Sequence, residues 1–258
     1  MSIALLWLAL AVLGTSFLSG VFGMAGGMIL MGLLLLVLPV PAAMVLHGVA
    51  QMASNGWRAI LWRRKTDWRI VLRYVAGLLC ASLLFAFVRF VPPRELVLVC
   101  LGLIPFLVVL TPEKFVPQAE HRWGAEMCGF VNTAIQFVAG VSGPMLDAFF
   151  VRSRSDRRTI VATKASCQTV AHFAKLIYFL SITGATQSGG PQSGGSQAAL
   201  DEWAMAVAVI MAIAGTTLSK LMLDRMSDVQ FRRWTRLLIM SIGGVYLVQG
   251  GYAYWALL

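Results

Sequence analysis

Apolar runs long enough to cross a membrane follow one another along this chain, and they restrict its fold more than any other feature. Ten apolar segments fall at about residues 3–22, 27–39, 42–62, 70–91, 95–111, 124–139, 143–151, 160–182, 203–223 and 234–256. A helix of about 20 apolar residues spans the hydrocarbon core. Backbone polar groups in hydrocarbon have to find partners within the segment, which helices provide. The expected fold is an all-α integral membrane protein. Segments 27–39 and 143–151 are too short to span at ~1.5 Å per residue. Each follows a glycine break, so they are expected to be broken half-helices. Charged residues make up 12% of the chain, against about 25% in a soluble domain.

The formal charge of +10 sits mostly in short loops between apolar segments, the pattern of membrane topology and anionic-lipid contact rather than of nucleic-acid binding. Arg63, Arg64, Lys65 and Arg69 follow the third segment. Arg152, Arg154, Arg157 and Arg158 follow the seventh, and Lys220, Arg225, Arg232, Arg233 and Arg236 cluster around the turn after the ninth. If every segment changes side, these clusters are all cytoplasmic and both termini lie outside, as the positive-inside rule requires. The stretch 184–202 then falls outside. It contains no Lys or Arg, and its Gly, Ser and Gln content marks a flexible loop. The first 22 residues lack a basic leader and are read as a mature helix. Cys80, Cys100, Cys128 and Cys167 lie in apolar segments without metal-like spacing, as small apolar fillers.

Polar residues interrupt the third and eighth segments in the same way. His47, Gln51, Asn55 and Arg58 recur at spacings of four, four and three, and so do Lys164, Gln168, His172 and Lys175. On a helix each set falls within about 80° of arc. Polar groups in hydrocarbon usually face a bundle interior or a water-filled path. An offset of 117 residues maps one set on the other. It also maps Gly23 on Gly140, Gly26 on Gly143, Met28 on Met145 and Ile60 on Ile177. Five segments per copy is an odd number, so the second copy enters from the opposite side. The expected architecture is two inverted repeats, residues 1–111 and 124–258, joined by a cytoplasmic linker at 112–123, with a site between them.

The glycine breaks at Gly20–Gly27 and Gly140–Pro144 each start a half-helix whose free N–H groups and positive dipole end suit an anion. The expected substrate-binding residues are Gly26, Gly27, Gln51, Asn55, Ser142, Gly143, Gln168, His172 and Lys175. Amides and backbone N–H groups donate to oxyanions without a buried net charge. His47, Arg58 and Lys164 are candidates for gating or for supplying charge; snorkelling to the interface is the alternative for Arg58 and Lys175. His172 and Asp147 are candidates for carrying a coupled proton. Intramembrane acids are few, Glu126 and Asp147, which argues against a cation pathway. No HExxH, Walker or GxSxG motif occurs, Pro144 standing where the last glycine of the latter would be. Neither enzyme chemistry nor a cofactor or metal is expected.

Three stretches carry a resemblance: Gly23-Met-Ala-Gly-Gly27, Gly140-Val-Ser-Gly-Pro-Met-Leu146, and Ala162-Thr-Lys-Ala165 with His172 and Lys175-Leu-Ile-Tyr-Phe179. In these the chain resembles the sulfite exporter (TauE/SafE) family of bacterial membrane proteins, over nearly its whole length. One departure is Met28, where many members extend the glycine run. The resemblance implies secondary transport of small sulfur-containing anions, sulfite or organosulfonates, across the bacterial inner membrane. An anion channel would share the same basic mouths, and a membrane accessory subunit without transport activity is a further alternative.

Overall fold

A computed structural model describes residues 3–22, 25–112, 116–150, 153, 155–187, 202–223 and 228–255. These residues form ten α-helices and no strand. They are α1 (Ile3–Phe22), α2 (Ala25–Val37), α3 (Val40–Leu61), α4 (Trp68–Val88), α5 (Arg94–Leu110), α6 (Gly124–Ala139), α7 (Gly143–Phe150), α8 (Arg157–Gln187), α9 (Glu202–Leu223) and α10 (Asp228–Trp255), with one 3₁₀ turn at Arg63–Lys65. Each of the ten expected segments corresponds to one helix. α2 and α7 are short, as their lengths required. α8 differs from expectation, because it continues through Gly184 to Gln187, into the stretch read as loop. The rest of that loop before Glu202, and Gly23, Arg152, Arg154 and Arg225, lie outside the described residues.

Local chemistry sets several helix ends. Asp67 caps α4, its Oδ1 accepting from the backbone N–H groups of Arg69 (3.0 Å) and Ile70 (3.3 Å). Asp156 does the same for α8 through the N–H groups of Arg158 (2.9 Å) and Thr159 (3.0 Å). Its exposed carboxyl is held below the usual carboxylate range by these bonds and that of the Thr159 hydroxyl. Pro39 precedes α3 in an extended conformation, and Pro41 stands in the first turn of the helix, where its missing N–H costs no intrahelical bond.

Length and composition qualify α1, α4, α9 and α10 as candidate membrane spans. Large apolar side chains such as Leu72, Leu83, Phe87, Leu221 and Val248 point outward from these helices, as a hydrocarbon surround allows. α3 and α8 are as long but more polar, and they pack against each other at the centre of the molecule. Further close pairs are α1 with α9, α4 with α6, α5 with α10, α1 with α2, α3 with α9 and α4 with α8. Two buried apolar clusters result. One gathers α1, α2, α3, α5 and α9 with parts of α6, α8 and α10; the other gathers α4, α6, α7 and α8.

Apolar lipid tails give little hydrophobic drive between helices, so backbones have to approach closely. At the α4–α6 crossing, a Cβ added to Gly129 would overlap the Tyr74 carbonyl oxygen, and one added to Gly77 would overlap that of Glu126. Both obstacles are backbone and cannot rotate away. The Arg73 guanidinium grips both Glu126 carboxylate oxygens at 2.8 Å beside this crossing. Gly129→Val is therefore expected to cost about 3 kcal/mol, the upper end of overpacking penalties. Gly14, with nothing within 4 Å of an added Cβ, supplies the control. Gly14→Ala should keep or slightly raise the thermal midpoint in detergent, while Gly129→Val should lower it sharply or abolish the folded fraction.

Candidate functional site

The polar stripes of α3 and α8 face each other, and the helix starts of α2 and α7 close the space between them. The resulting cavity is lined by Gly27, His47, Gln51, Asn55, Arg58, Val141, Ser142, Gly143, Gln168 and His172. It leaves about 10 Å³, room for roughly one water-sized sphere. A sulfite-sized anion enters only if the walls part. Of the expected binding residues, Gly27, Gln51, Asn55, Ser142, Gly143, Gln168 and His172 lie on this wall. So do His47 and Arg58, the candidates for charge.

Gly26 does not. A Cβ there would run into the Thr15 carbonyl and the Ser19 backbone of α1. The glycine pair thus divides its work, Gly26 packing on α1 while Gly27 faces the cavity, 3.4 Å from the Gln51 side chain as judged from an added Cβ. Lys175 stands behind the wall, 0% exposed. Its Nζ donates to His47 Nδ1 at 2.8 Å and to the Gly140 carbonyl at 3.0 Å, so it turns inward and does not snorkel. Gly48 runs alongside it, an added Cβ there reaching ordinary van der Waals contact with Lys175 Cε at 3.4 Å. Lys164 pairs with Asp147 instead of lining the cavity. Their side chains are 21% and 43% exposed, so the Asp147 side of the site is the more open one.

His47 ties the two breaks together. Its Nε2 lies 3.0 Å from the Gly27 carbonyl oxygen, which can only accept, so that nitrogen carries the hydrogen. Nδ1 then accepts from Lys175, whose ammonium also holds Gly140. A chain of hydrogen bonds therefore runs from the start of α2 through α3 and α8 to the end of α6. On the far side of the cavity, Asn55 donates to the Gln51 carbonyl (2.9 Å) and its Oδ1 accepts from Arg58 Nη2 (2.9 Å). This fixes the guanidinium over the cavity.

Gln51 and Gln168 are 5% and 2% exposed, and the Nε2 of each has no protein partner among the described residues. They are related by the 117-residue offset and occupy corresponding turns of α3 and α8. A buried amide without a partner costs about 1–3 kcal/mol. Two in one cavity mark a place where donors are held for something else.

One member of the site was not singled out from the sequence. Gln136 of α6, fully buried, accepts from Ser142 Oγ (2.7 Å) and donates from Nε2 to His172 Nδ1 (3.1 Å). The signal was present: Asn132 and Gln136 stand four apart in an apolar segment, a short form of the pattern that marked α3 and α8.

Gly140 ends α6 with φ of +76°, a conformation that favours glycine. An added Cβ would also come within 2.9 Å of the sulfur atoms of Met31 and Met44. Gly140→Ala is expected to cost about 1–2 kcal/mol from the backbone alone. It should also displace the carbonyl that holds Lys175. The expected result is a lower thermal midpoint together with weaker anion binding, and a variant with wild-type values of both would separate Gly140 from the site.

No curated protein and no solved structure matches the chain. The family model for the sulfite exporter TauE/SafE matches residues 8–247, which contain every residue of this cavity. That family consists of membrane transporters of the sulfite and sulfonate type, not enzymes. With a helical multi-pass architecture and a match over nearly its full length, the chain belongs to the sulfite exporter TauE/SafE family.

Proposed function

We propose that the protein is a secondary transporter of a small sulfur-containing anion, sulfite or an organosulfonate, in the bacterial inner membrane. The anion binds between the starts of α2 and α7, taking hydrogen bonds from Gln51, Gln168 and the backbone at Gly27 and Gly143. Lys175 and Arg58 compensate its charge from two sides. The observation that carries this reading is the pair of unpartnered amides, two repeat-related donors buried in a cavity that holds positive groups and no unpaired acid among the described residues. The nearly closed volume favours a carrier that opens to one side at a time over a standing channel.

Helix pairing supports an inverted repeat of residues 1–111 and 124–258. The offset exchanges α1 with α6, α2 with α7, α3 with α8, α4 with α9 and α5 with α10. Under that exchange the pair α1–α9 becomes α6–α4, α1–α2 becomes α6–α7, and α3–α9 becomes α8–α4. The pairs α3–α8 and α5–α10 map on themselves. All of these pairs occur. In the topology that places both termini outside, Arg58 and the Asp147–Lys164 pair lie on the cytoplasmic side of the site, the side with the more exposed groups.

A thermal-shift screen of the purified protein against sulfite, sulfate, thiosulfate, taurine and sulfoacetate tests the function. A ligand at a hundred times its Kd adds about 2.7 kcal/mol to the folded state. At least one of these anions should shift the midpoint upward, with sodium chloride at matched ionic strength giving no shift. Absence of a shift with all of them, together with no uptake or efflux in proteoliposomes, would reject the anion-carrier reading. Steady chloride-type currents at rates beyond carrier turnover would favour the channel.

A further inference from the structure

We propose that anion binding draws one proton onto His172, and that the Gln136 amide answers by turning over, which frees the hydroxyl of Ser142 to donate to the anion. The inference rests on the anion-carrier reading and adds the coupling ion to it.

The hydrogen-bond pattern limits where a proton can go. Between Lys175 Nζ and His47 Nδ1, 2.8 Å apart, there is room for one proton. The other ring nitrogen of His47 already donates to Gly27. A second proton in that contact would set N–H against N–H, so the pair carries at most a single positive charge whichever nitrogen holds it. His172 is different. Its Nδ1 accepts from Gln136 Nε2 while Gln136 Oε1 accepts from Ser142. In this arrangement the ring is neutral, with its hydrogen on Nε2, and the Ser142 hydroxyl is spent on Gln136.

A proton arriving at Nδ1 from water reverses the sequence. The new N–H needs an acceptor, so the Gln136 amide turns over and presents Oε1. Its NH₂ group then donates to Ser142 Oγ, whose hydroxyl hydrogen is released. Ser142 lines the cavity at the start of α7, so the freed O–H is available to an anion there. Only an N–H bond forms, and the same proton returns to water when the anion leaves. Charge on His172 and a new donor at Ser142 appear together.

The surroundings make this step conditional on an anion. The His172 and His47 rings lie 5.6 Å apart, centroid to centroid. From α3, His47 and Arg58 face the same space, and α8 itself adds Lys175. Asp147 of α7 is paired with Lys164 of α8, and Glu126 of α6 with Arg73 of α4. Tyr74 of α4 accepts from Asn132. Among the described residues no carboxylate is left to offset a second positive charge beside the Lys175–His47 pair. The anion provides that offset, and the proton and the anion therefore stabilise each other.

The test measures the Kd of the full chain in detergent for ethanesulfonate, thiosulfate and sulfite in steps across neutral pH. The charge of the first two is fixed over that range, and the third is corrected for its own proton. Calorimetry in two buffers of different ionisation heat counts the protons. Uptake of one proton is expected, with binding tightest on the acid side and Kd rising by about tenfold per pH unit once His172 is neutral in the complex-free protein. His172→Gln should bind more weakly with a flat pH profile. In Gln136→Met the Ser142 hydroxyl is no longer spent on Gln136 at any pH and the protonated His172 loses its acceptor, so the Kd should tighten at high pH, weaken at low pH, and depend on pH less steeply than in the wild type. A Kd independent of pH with no proton uptake overturns the coupling while the carrier reading stands. A slope that survives in His172→Gln overturns the assignment to His172. Failure of all three anions to bind at any pH overturns the carrier reading and the coupling with it.

Discussion

Lys175→Met is expected to abolish measurable anion binding, a loss of about a hundredfold or more, while the protein still folds. Lys175 is completely buried and its ammonium is shared between His47 and Gly140. Removing one partner of a buried charged contact costs roughly 3–5 kcal/mol when the other is a charge left unpaired. Here the partners are an imidazole nitrogen and a carbonyl, so the folded protein loses much less. The bound anion is the charge left without compensation. Methionine fills the space of the lysine stem without a donor, so packing against Gly48 is kept. Lys175→Arg keeps the charge, and a purely electrostatic role would tolerate it. The geometry argues otherwise. Lys175 is fully buried with its single nitrogen shared between His47 Nδ1 and the Gly140 carbonyl, and a planar guanidinium is larger and presents its donors in a fixed fork. Both variants should lose binding, with Arg also lowering the thermal midpoint. Retention of wild-type affinity by Lys175→Met would remove the lysine from the site.

Much of this was legible in the sequence because hydrocarbon makes each polar residue informative. In a soluble protein His47, Gln51, Asn55 and Arg58 would be an ordinary wet face. Within an apolar segment the same four residues can only line an interior, and every one of them lies on the cavity wall. The short segments after the glycine breaks were equally readable, since their lengths, not their composition, exclude a full crossing. Distances behind the wall were not readable. Periodicity puts Lys175 on the same face as His172, but it cannot say that the chain reaches across to His47 or that Gly140 supplies a carbonyl. The division of labour between Gly26 and Gly27 follows from which face of α2 meets α1, a tertiary matter. Gln136 escaped because the 117-residue offset pairs Asn132, Thr133 and Gln136 with Thr15, Ser16 and Ser19, small hydroxyl residues that are common in packed membrane helices and so give the first copy only a weak polar signal. The end of α8 escaped because Gly184, a sensible breaker in water, lies inside a helix that runs to Gln187.

The paired glutamines give the sharpest separation of stability from function. Gln51→Met and Gln168→Met keep length and shape and remove one amide each. In the ligand-free protein each Nε2 is buried without a protein partner. Its removal should relieve a desolvation cost of about 1–3 kcal/mol, so both variants are expected to melt higher than wild type. Anion binding should move the other way. A hydrogen bond to a charged ligand contributes about 1.5–3 kcal/mol, hence a ten- to hundredfold rise in Kd for each single variant. The two amides approach from α3 and α8 and lie on one cavity, so the double variant should be non-additive if they grip the same anion. A structural glutamine predicts the opposite sign for stability, because its loss would then remove bonds the fold uses. Gln51→Met with a lowered midpoint and unchanged Kd would therefore assign it to packing, and the same outcome for Gln168→Met would leave the cavity without its two central donors. A raised midpoint with weakened binding in both requires that the fold sustain these unpartnered groups for the ligand, the trade expected where a binding site is preorganised at the expense of stability.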